Sequence, residues 1–367
     1  MKKILICFGT RPEAIKMAPI CFELLKQKIP YKLCVTAQHR EMLDQVLDFF
    51  KLKPDYDLDL MQKNQSLNEL SAKILKEIDL VFKSDNFNLV LVHGDTTTSA
   101  MVALAAFHRN IKIVHVEAGL RTYKKQSPFP EEMNRQLTSR IADYHFPPTS
   151  KASNNLVSEG VPLKNILVTG NTVIDALNIT LDKINKGFLN GAIENLKEEI
   201  DFNKRIILVT GHRRESFGQG FENICEAILE ISKIENVEIV YPVHLNPNVQ
   251  KIVFEKLSNK ENIKLIKPLD YPSFIWLMSK SKLIISDSGG IQEEAPTLNI
   301  PVLVTRETTE REEGITCGTS FLVGTNKTKI VNKVKELLNA KNTFTIKSNP
   351  YGDGIAAKKI VDFIKAL

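Results

Sequence analysis

Two rhythms of apolar and polar positions alternate along the chain. Short runs of aliphatic and β-branched residues are separated by stretches in which apolar residues return every three or four positions. The first rhythm marks strands buried on both faces; the second marks amphipathic helices laid over them. In the first half the strand runs are Lys3–Phe8, Tyr31–Thr36, Leu89–His93, Lys112–Val116 and Tyr144–Phe146. In the second half they are Arg205–Thr210, Val237–Val243, Ile263–Ile266, Leu283–Ser286 and Pro301–Thr305. Helical patterns fall between them, among them Glu13–Lys28, Ser66–Phe82, Phe221–Ser232 and Thr328–Asn339. Strand and helix in alternation predict βαβ units and parallel sheets. The pattern restarts near Arg205, after a stretch rich in Asn, Lys and Glu. We therefore expect an α/β protein of two Rossmann-like doubly wound domains, 1–170 and 171–354, facing a central cleft. By pattern alone the last helix, 355–367, can pack on either domain. Open sheets of this kind carry their reactive loops at the carboxyl ends of the strands.

Composition narrows the class of partner. A chain of 367 residues exceeds what one core usually organises. Its 43% hydrophobic and 25% charged residues are ordinary for a soluble globular protein. The net charge of +6 is spread without a basic run, so neither nucleic acid nor a membrane surface is implied. A small anionic substrate is favoured instead. The opening run Ile4–Phe8 is too short for a signal peptide, and no stretch reaches the length of a membrane span. Five cysteines, without a C-x-x-C spacing, suggest a reduced, cytoplasmic protein.

The strand ends carry the candidate chemistry. Gly9-Thr10-Arg11-Pro12-Glu13 opens the first helix, where free amides, Arg11 and, one turn on, Lys16 suit a phosphate. An ordinary βα turn with a solvated Arg is the plainer explanation. Asp95 and Glu117 end two successive strands, and Glu131 starts a helix after Pro130. Each has a plain explanation: Asp95 as a helix cap, Glu131 as a dipole charge paired with Arg135. A carboxylate directly after a buried strand is nevertheless unfavourable unless it is paired or used. In the second half, Gly211-His212-Arg213-Arg214 follows a strand and suits an anion, with His212 able to move a proton near neutrality. Ser286-Asp287-Ser288-Gly289-Gly290 turns a strand into a helix whose amides and Ser288 hydroxyl can hold a diphosphate, and Glu294 lies one turn on, within reach of ribose hydroxyls. No G-x-G-x-x-G opens either half, and neither a Walker loop nor H-E-x-x-H occurs. No cofactor and no metal are expected.

These motifs together resemble the non-hydrolysing UDP-N-acetylglucosamine 2-epimerases of bacteria. The likeness runs through Gly9-Thr10-Arg11-Pro12-Glu13, Gln38-His39-Arg40, His93-Gly94-Asp95, Val116-Glu117-Ala118-Gly119, Pro130-Glu131-Glu132-Met133-Asn134-Arg135, Thr169-Gly170-Asn171-Thr172, Gly211-His212-Arg213, Ser288-Gly289-Gly290 and Asn349-Pro350-Tyr351-Gly352. It implies a GT-B-like fold, a homodimer, a C-terminal helix returning to the first domain, and interconversion of UDP-GlcNAc and UDP-ManNAc. By position, Arg11, Lys16, Asp95, Glu117, Glu131 and His212 match the family's active-site residues. Phe274, Ser288, Gly289, Gly290, Glu294 and Arg311 match its UDP-binding positions, and Arg135 and Arg213 join them as substrate contacts. Gln38, His39 and Arg40 match a segment that in some members holds a second, activating UDP-GlcNAc. Two positions depart from the pattern: Glu312 follows the arginine where members often have Pro, and Asn64 stands where an activated relative has Arg.

The sugar's C2–H lies beside no carbonyl, so simple deprotonation is too difficult. Oxidising a neighbouring carbon requires a nicotinamide; expelling UDP from C1 does not. The missing dinucleotide fingerprint favours expulsion, and the resemblance implies the same route, through 2-acetamidoglucal. A hydrolysing epimerase, a glycosyltransferase and a non-catalytic UDP-sugar sensor are the alternatives, and a sensor has no need of Asp95, Glu117 and Glu131.

Overall fold

The computed structural model describes residues 3–36, 40–62, 65–211, 213, 217–340, 344, 346 and 348–367. The chain divides into two compact units, residues 1–178 with 351–367, and residues 179–350. The first contains strands β1 (Ile4–Phe8), β2 (Tyr31–Val35), β3 (Tyr56–Asp57), β4 (Leu89–His93), β5 (Lys112–Val116) and β6 (Tyr144–Phe146). They form one parallel sheet in the order β3-β2-β1-β4-β5-β6. The second contains β7 (Arg205–Thr210), β8 (Val237–Pro242), β9 (Ile263–Ile266), β10 (Leu283–Ser286), β11 (Val302–Val304) and β12 (Ser320–Leu322). Its parallel order, β12-β11-β10-β7-β8-β9, is the same plan counted from its own first strand. Each unit is thus a doubly wound Rossmann-like domain, the two-domain plan of a GT-B-like fold.

The central strands explain the two-sided apolar pattern. β1 and β4 are buried at every position because helices cover both faces. In the first unit Leu5, Cys7, Val90, Val92 and Ile113 pack under Ile74, Ile78, Val102 and Ala106. In the second, Ile207, Val209, Ile239 and Ile285 meet Ile224, Ile228, Val253 and Val334. The cysteines are free thiols, and all but Cys317 are buried. Among the described residues, no helix is long and apolar enough to cross a membrane.

The last helix, Ala356–Ala366, belongs to the first unit. Asp175 receives its first free amides, Ala356 N at 3.2 Å and Ala357 N at 2.9 Å. Just before it, Gly352 crosses Gly170 so closely that a Cβ on Gly352 would lie 3.2 Å from Gly170 Cα.

Both sheets reverse their winding between the first and fourth strands, β1/β4 and β7/β10. Ligands of open α/β sheets bind beyond the carboxyl ends of the strands at such a switch point.

Candidate functional site

In the first unit, Thr10 caps the helix Arg11–Lys26 and forms a capping box with Glu13. Glu13 is 2% exposed, and its role extends beyond the cap. One oxygen, Oε2, accepts from Gly9 N, Thr10 N and Thr10 Oγ1 at 3.0, 2.9 and 2.9 Å. Its other oxygen accepts from Thr96 Oγ1 at 2.7 Å and Ser99 Oγ at 3.0 Å, across the switch point. One carboxylate therefore fixes the loops after β1 and β4. Burial pushes the Glu13 carboxyl up, against the hydrogen bonds of Thr96, Gly9, Thr10 and Ser99.

Thr96, rather than Asp95, caps the helix Thr97–His108. Asp95 instead accepts from Arg135 Nη2 at 2.5 Å, while its carbonyl accepts from Asn134 Nδ2 at 3.0 Å. Arg135 also lies 3.5 Å from Glu132, and so pairs with Asp95 and Glu132 rather than with Glu131. Glu132 is fully buried, accepting from Thr122 N and Tyr123 N, both at 3.0 Å. Its neighbour Glu131, first in the helix Glu131–Ile141, keeps a buried Oε2 with no hydrogen-bond partner. An oxygen in that position is suited to a substrate hydrogen.

Glu117 follows β5 with a left-handed backbone, φ 57°, which is strained for a glutamate. Its Oε2 pairs with Lys16 Nζ and accepts from Asn171 Nδ2 at 2.6 Å. His93 Nε2 lies 3.8 Å from the same oxygen. Burial lowers the His93 imidazole to about 4, with Glu117 opposing and Lys16 adding. Behind it, His115 donates Nε2–H to Gly94 O at 2.7 Å, and burial takes it down to about 3. Both rings are neutral at pH 7, so Lys16 supplies the positive charge at Glu117.

In the second unit, Asp287 plays the corresponding part. Its Oδ2 accepts from Arg213 N at 2.8 Å, and Arg213 Nε donates to the Asp287 carbonyl at 3.0 Å. The loops after β7 and β10 are thereby tied. Ser288 precedes the short helix Gly289–Glu294, with its own N–H on Ser286 Oγ at 2.9 Å. Arg311 lies against the start of that helix: a Cβ on Gly289 would be 3.0 Å from its Cζ. The guanidinium is held by Glu293 at 3.0 Å and by Glu310. Arg306 reaches Glu310 from the other side at 2.9 Å. Burial alone would raise the Glu310 carboxyl, but Arg311 and Arg306, with Arg213 beyond, bring it down to about 2. Arg213, Arg306 and Arg311 bring three guanidinium groups to this corner among the carboxylates Asp287, Glu293, Glu294 and Glu310, and a guanidinium fork is suited to an anion.

A model of the UDP-N-acetylglucosamine 2-epimerase family matches residues 23–365. The chain belongs to the UDP-N-acetylglucosamine 2-epimerase family. This epimerase-family chain is 52% identical to the UDP-N-acetylglucosamine 2-epimerase of Salmonella typhimurium over 99% of its length and 98% of that protein's. It resembles the crystal structure of the Neisseria meningitidis UDP-GlcNAc 2-epimerase bound to UDP-GlcNAc, with TM-score 0.93, 48% identity and 100% of both chains covered. The Methanocaldococcus jannaschii UDP-GlcNAc 2-epimerase in complex with UDP-GlcNAc and UDP gives TM-score 0.85 at 35% identity, again covering 100% of both.

The structure gathers Lys16, Asp95, Glu117, Glu131 and Arg135 around the ends of β4 and β5, with Arg11 half-buried at the first position of its helix. Arg213, Ser288, Gly289, Gly290, Glu294 and Arg311 share one corner of the second unit. Glu294 ends the short helix and accepts from Tyr271 Oη at 3.0 Å. Phe274 is half-buried on the nearby helix Tyr271–Ser279. Arg40 is exposed and paired with Asp44 at 3.0 Å and Asp57 at 2.6 Å. His212, Gln38, His39 and Asn64 lie outside the described residues. Sequence reasoning assigned no part to Glu13, Asn171, Asp287, Arg306 or Glu310. The two-sided contacts of the first three carry no local signature.

Proposed function

We propose that the chain interconverts UDP-N-acetylglucosamine and UDP-N-acetylmannosamine by inverting the sugar's C2. UDP leaves C1 and C2 loses its proton to give 2-acetamidoglucal; UDP then returns to the same face of C1 while a proton is delivered to the opposite face of C2. N-acetylmannosamine units so formed would supply surface polysaccharide. Family membership supports the activity, and the side chains support the route. The observation that carries it is that Asp95 and Glu117, after the adjoining strands β4 and β5, and Glu131, on the helix whose Asn134 and Arg135 reach Asp95, are each held differently. Glu117 is paired with Lys16, Asp95 with Arg135, and Glu131 keeps a buried oxygen without a partner. Differently set carboxylates are what deprotonation on one face and reprotonation on the other require.

Arg213 and Arg311, with the Ser288-Gly289-Gly290 amides, would receive the departing diphosphate, a preorganised electrostatic role. Arg11 and His212 share that task, Glu294 and Phe274 would hold the nucleoside, and Gln38, His39 and Arg40 would belong to any activating second site. We also take the molecule to be a homodimer. Three helices packed side by side, Leu67–Ser84, Thr97–His108 and Glu131–Ile141, expose Leu80, Phe107 and Leu137, and sedimentation at equilibrium measures the mass.

Incubation with UDP-N-acetylglucosamine in D₂O, followed by proton NMR, tests the function. Deuterium at C2 together with UDP-N-acetylmannosamine is the expected result. Free N-acetylmannosamine would replace this reading with hydrolysis, and an unchanged spectrum would reject it. Asp95→Asn, Glu117→Gln and Glu131→Gln should each lower turnover at least ~100-fold while UDP still binds.

A further inference from the structure

The stretch Thr169-Gly170-Asn171-Thr172 is used by none of the steps above, yet its asparagine touches Glu117. We propose that Asn171 is a positioning residue that aims the Glu117 carboxylate and holds it in its proton-accepting form. The inference rests on Glu117 handling the C2 proton.

Asn171 is 2% exposed, and its amide orientation is set from both ends. Its Oδ1 accepts from Val173 N at 3.0 Å, so Nδ2 is the end that donates to Glu117 Oε2 at 2.6 Å. A flip would turn a carbonyl oxygen onto the carboxylate and an amine onto an N–H. The backbone is pinned as well: Asn171 N donates to Tyr351 O at 2.7 Å. Immediately before it, a Cβ on Gly170 would come within 3.1 Å of Gly352 Cα, so the two segments interlock at glycines. Asn171 is therefore fixed by contacts that do not involve Glu117, as preorganisation requires.

Glu117 needs such a partner. Its left-handed backbone persists only where surroundings over-determine it. Lys16 from the first helix and His93 from β4 face the same carboxylate. Lys16 supplies charge through a flexible stem; His93, at 3.8 Å, is beyond hydrogen-bond range. Asn171 supplies direction, through a donor that favours the ionised form.

The test compares kcat, KM and the pH–rate profile of the wild type, Asn171→Ala and Asn171→Asp, with circular dichroism to check folding. Asn171→Asp places a second carboxylate against Glu117, so the acid limb of kcat should move up by about one pH unit or more. Asn171→Ala should lower kcat ~10-fold or more with KM changed by less than ~3-fold. A direct titration runs in parallel, using glutamate labelled with ¹³C at the carboxyl and the resonance that disappears in Glu117→Gln. That resonance should titrate at higher pH in Asn171→Asp whether or not the substrate has been identified correctly. A shifted resonance in a protein inert toward UDP-N-acetylglucosamine would sink the substrate reading and leave Asn171 in place. An unshifted resonance and acid limb in Asn171→Asp overturn the proposal. If that variant does not fold, wild-type kcat and an unmoved resonance in Asn171→Ala overturn it.

Discussion

Replacing Glu13 by alanine tests whether one buried carboxylate holds the first switch point together. The substitution removes the acceptor for Gly9 N, Thr10 N and Thr10 Oγ1 on one loop and for Thr96 Oγ1 and Ser99 Oγ on the other. The three hydroxyls can rotate to other acceptors, but the two backbone N–H groups cannot. Leaving a buried donor unsatisfied costs about 1–3 kcal/mol, and losing a helix cap about 1 kcal/mol. Against this, burial already raises the Glu13 carboxyl, so removing the charge returns part of the loss. The net expectation is about 3 kcal/mol, or a fall in Tm of ~6–12 °C for a unit of this size. Glu13→Gln keeps an acceptor for the two N–H groups and turns its amine toward Thr96 and Ser99, so it should lose less than half as much. Thermal melts followed by circular dichroism, with turnover measured on the same samples, decide the matter. Because Arg11 and Asp95 sit on the clamped loops, turnover should fall with the clamp even at temperatures where both variants are folded. An alanine variant melting within ~2 °C of the wild type would refute the clamp.

Acid should destabilise the first unit, because burial takes His93, His115 and His145 down to about 4, 3 and 4 from an ordinary 6.5. Their folded pKa values are depressed, so their contribution is complete above pH 6.5 and is lost as pH falls toward 4; equal Tm at pH 7 and pH 5 would contradict it. Gly289→Ala should weaken UDP binding ~10-fold or more by calorimetry, since its Cβ would meet the Arg311 guanidinium at 3.0 Å and Arg311 is held by Glu293 and Glu310. Gly290→Ala meets only Ser288 Oγ, at 3.9 Å, and should melt like the wild type; a Tm lowered by more than ~2 °C would contradict it.

Strands with two covered faces announce themselves in sequence, and those with one exposed face do not. β1, β4, β7 and β10 were legible because every residue or nearly every residue is buried. Tyr56–Asp57 and Ser320–Leu322 were not, since each is a short edge strand with exposed positions. Strand order is invisible in a single chain, so the switch points could not be placed. Asp95 and Glu117 stood out because charge directly after an apolar run is unfavourable unless used. Glu13 was assigned no part, its partners Thr96 and Ser99 being 83 and 86 residues away. Asn171 lies 54 residues from Glu117, and nothing in its own stretch signals the contact. Arg135 illustrates the converse: an i,i+4 spacing to Glu131 offered a local pair, but Asp95 and Glu132 compete for the same guanidinium and win.

The two units solve one problem with the same device and then diverge. At a switch point the first and fourth strands end side by side, and their loops turn away from each other with backbone donors exposed. In the first unit the first turn of the helix after β1 supplies the bridging carboxylate, Glu13; in the second the loop after β10 supplies it, Asp287. The Glu13 bridge is satisfied by main-chain N–H and hydroxyl groups, and the Asp287 carboxylate accepts from the main-chain N–H of Arg213; a main-chain donor does not depend on what its side chain carries. The positions beyond the bridge are thereby free to differ in charge without disturbing the loop path. In the first unit they are Asp95, Glu117 and Glu131, and in the second Arg213, Arg306 and Arg311. A single architecture thus presents Asp95, Glu117 and Glu131 in one domain and Arg213, Arg306 and Arg311 in the other, the division that the proposed function uses. Substitutions at Glu13 and Asp287 should accordingly alter fold and turnover together, whereas conservative changes at the presented residues should alter turnover alone.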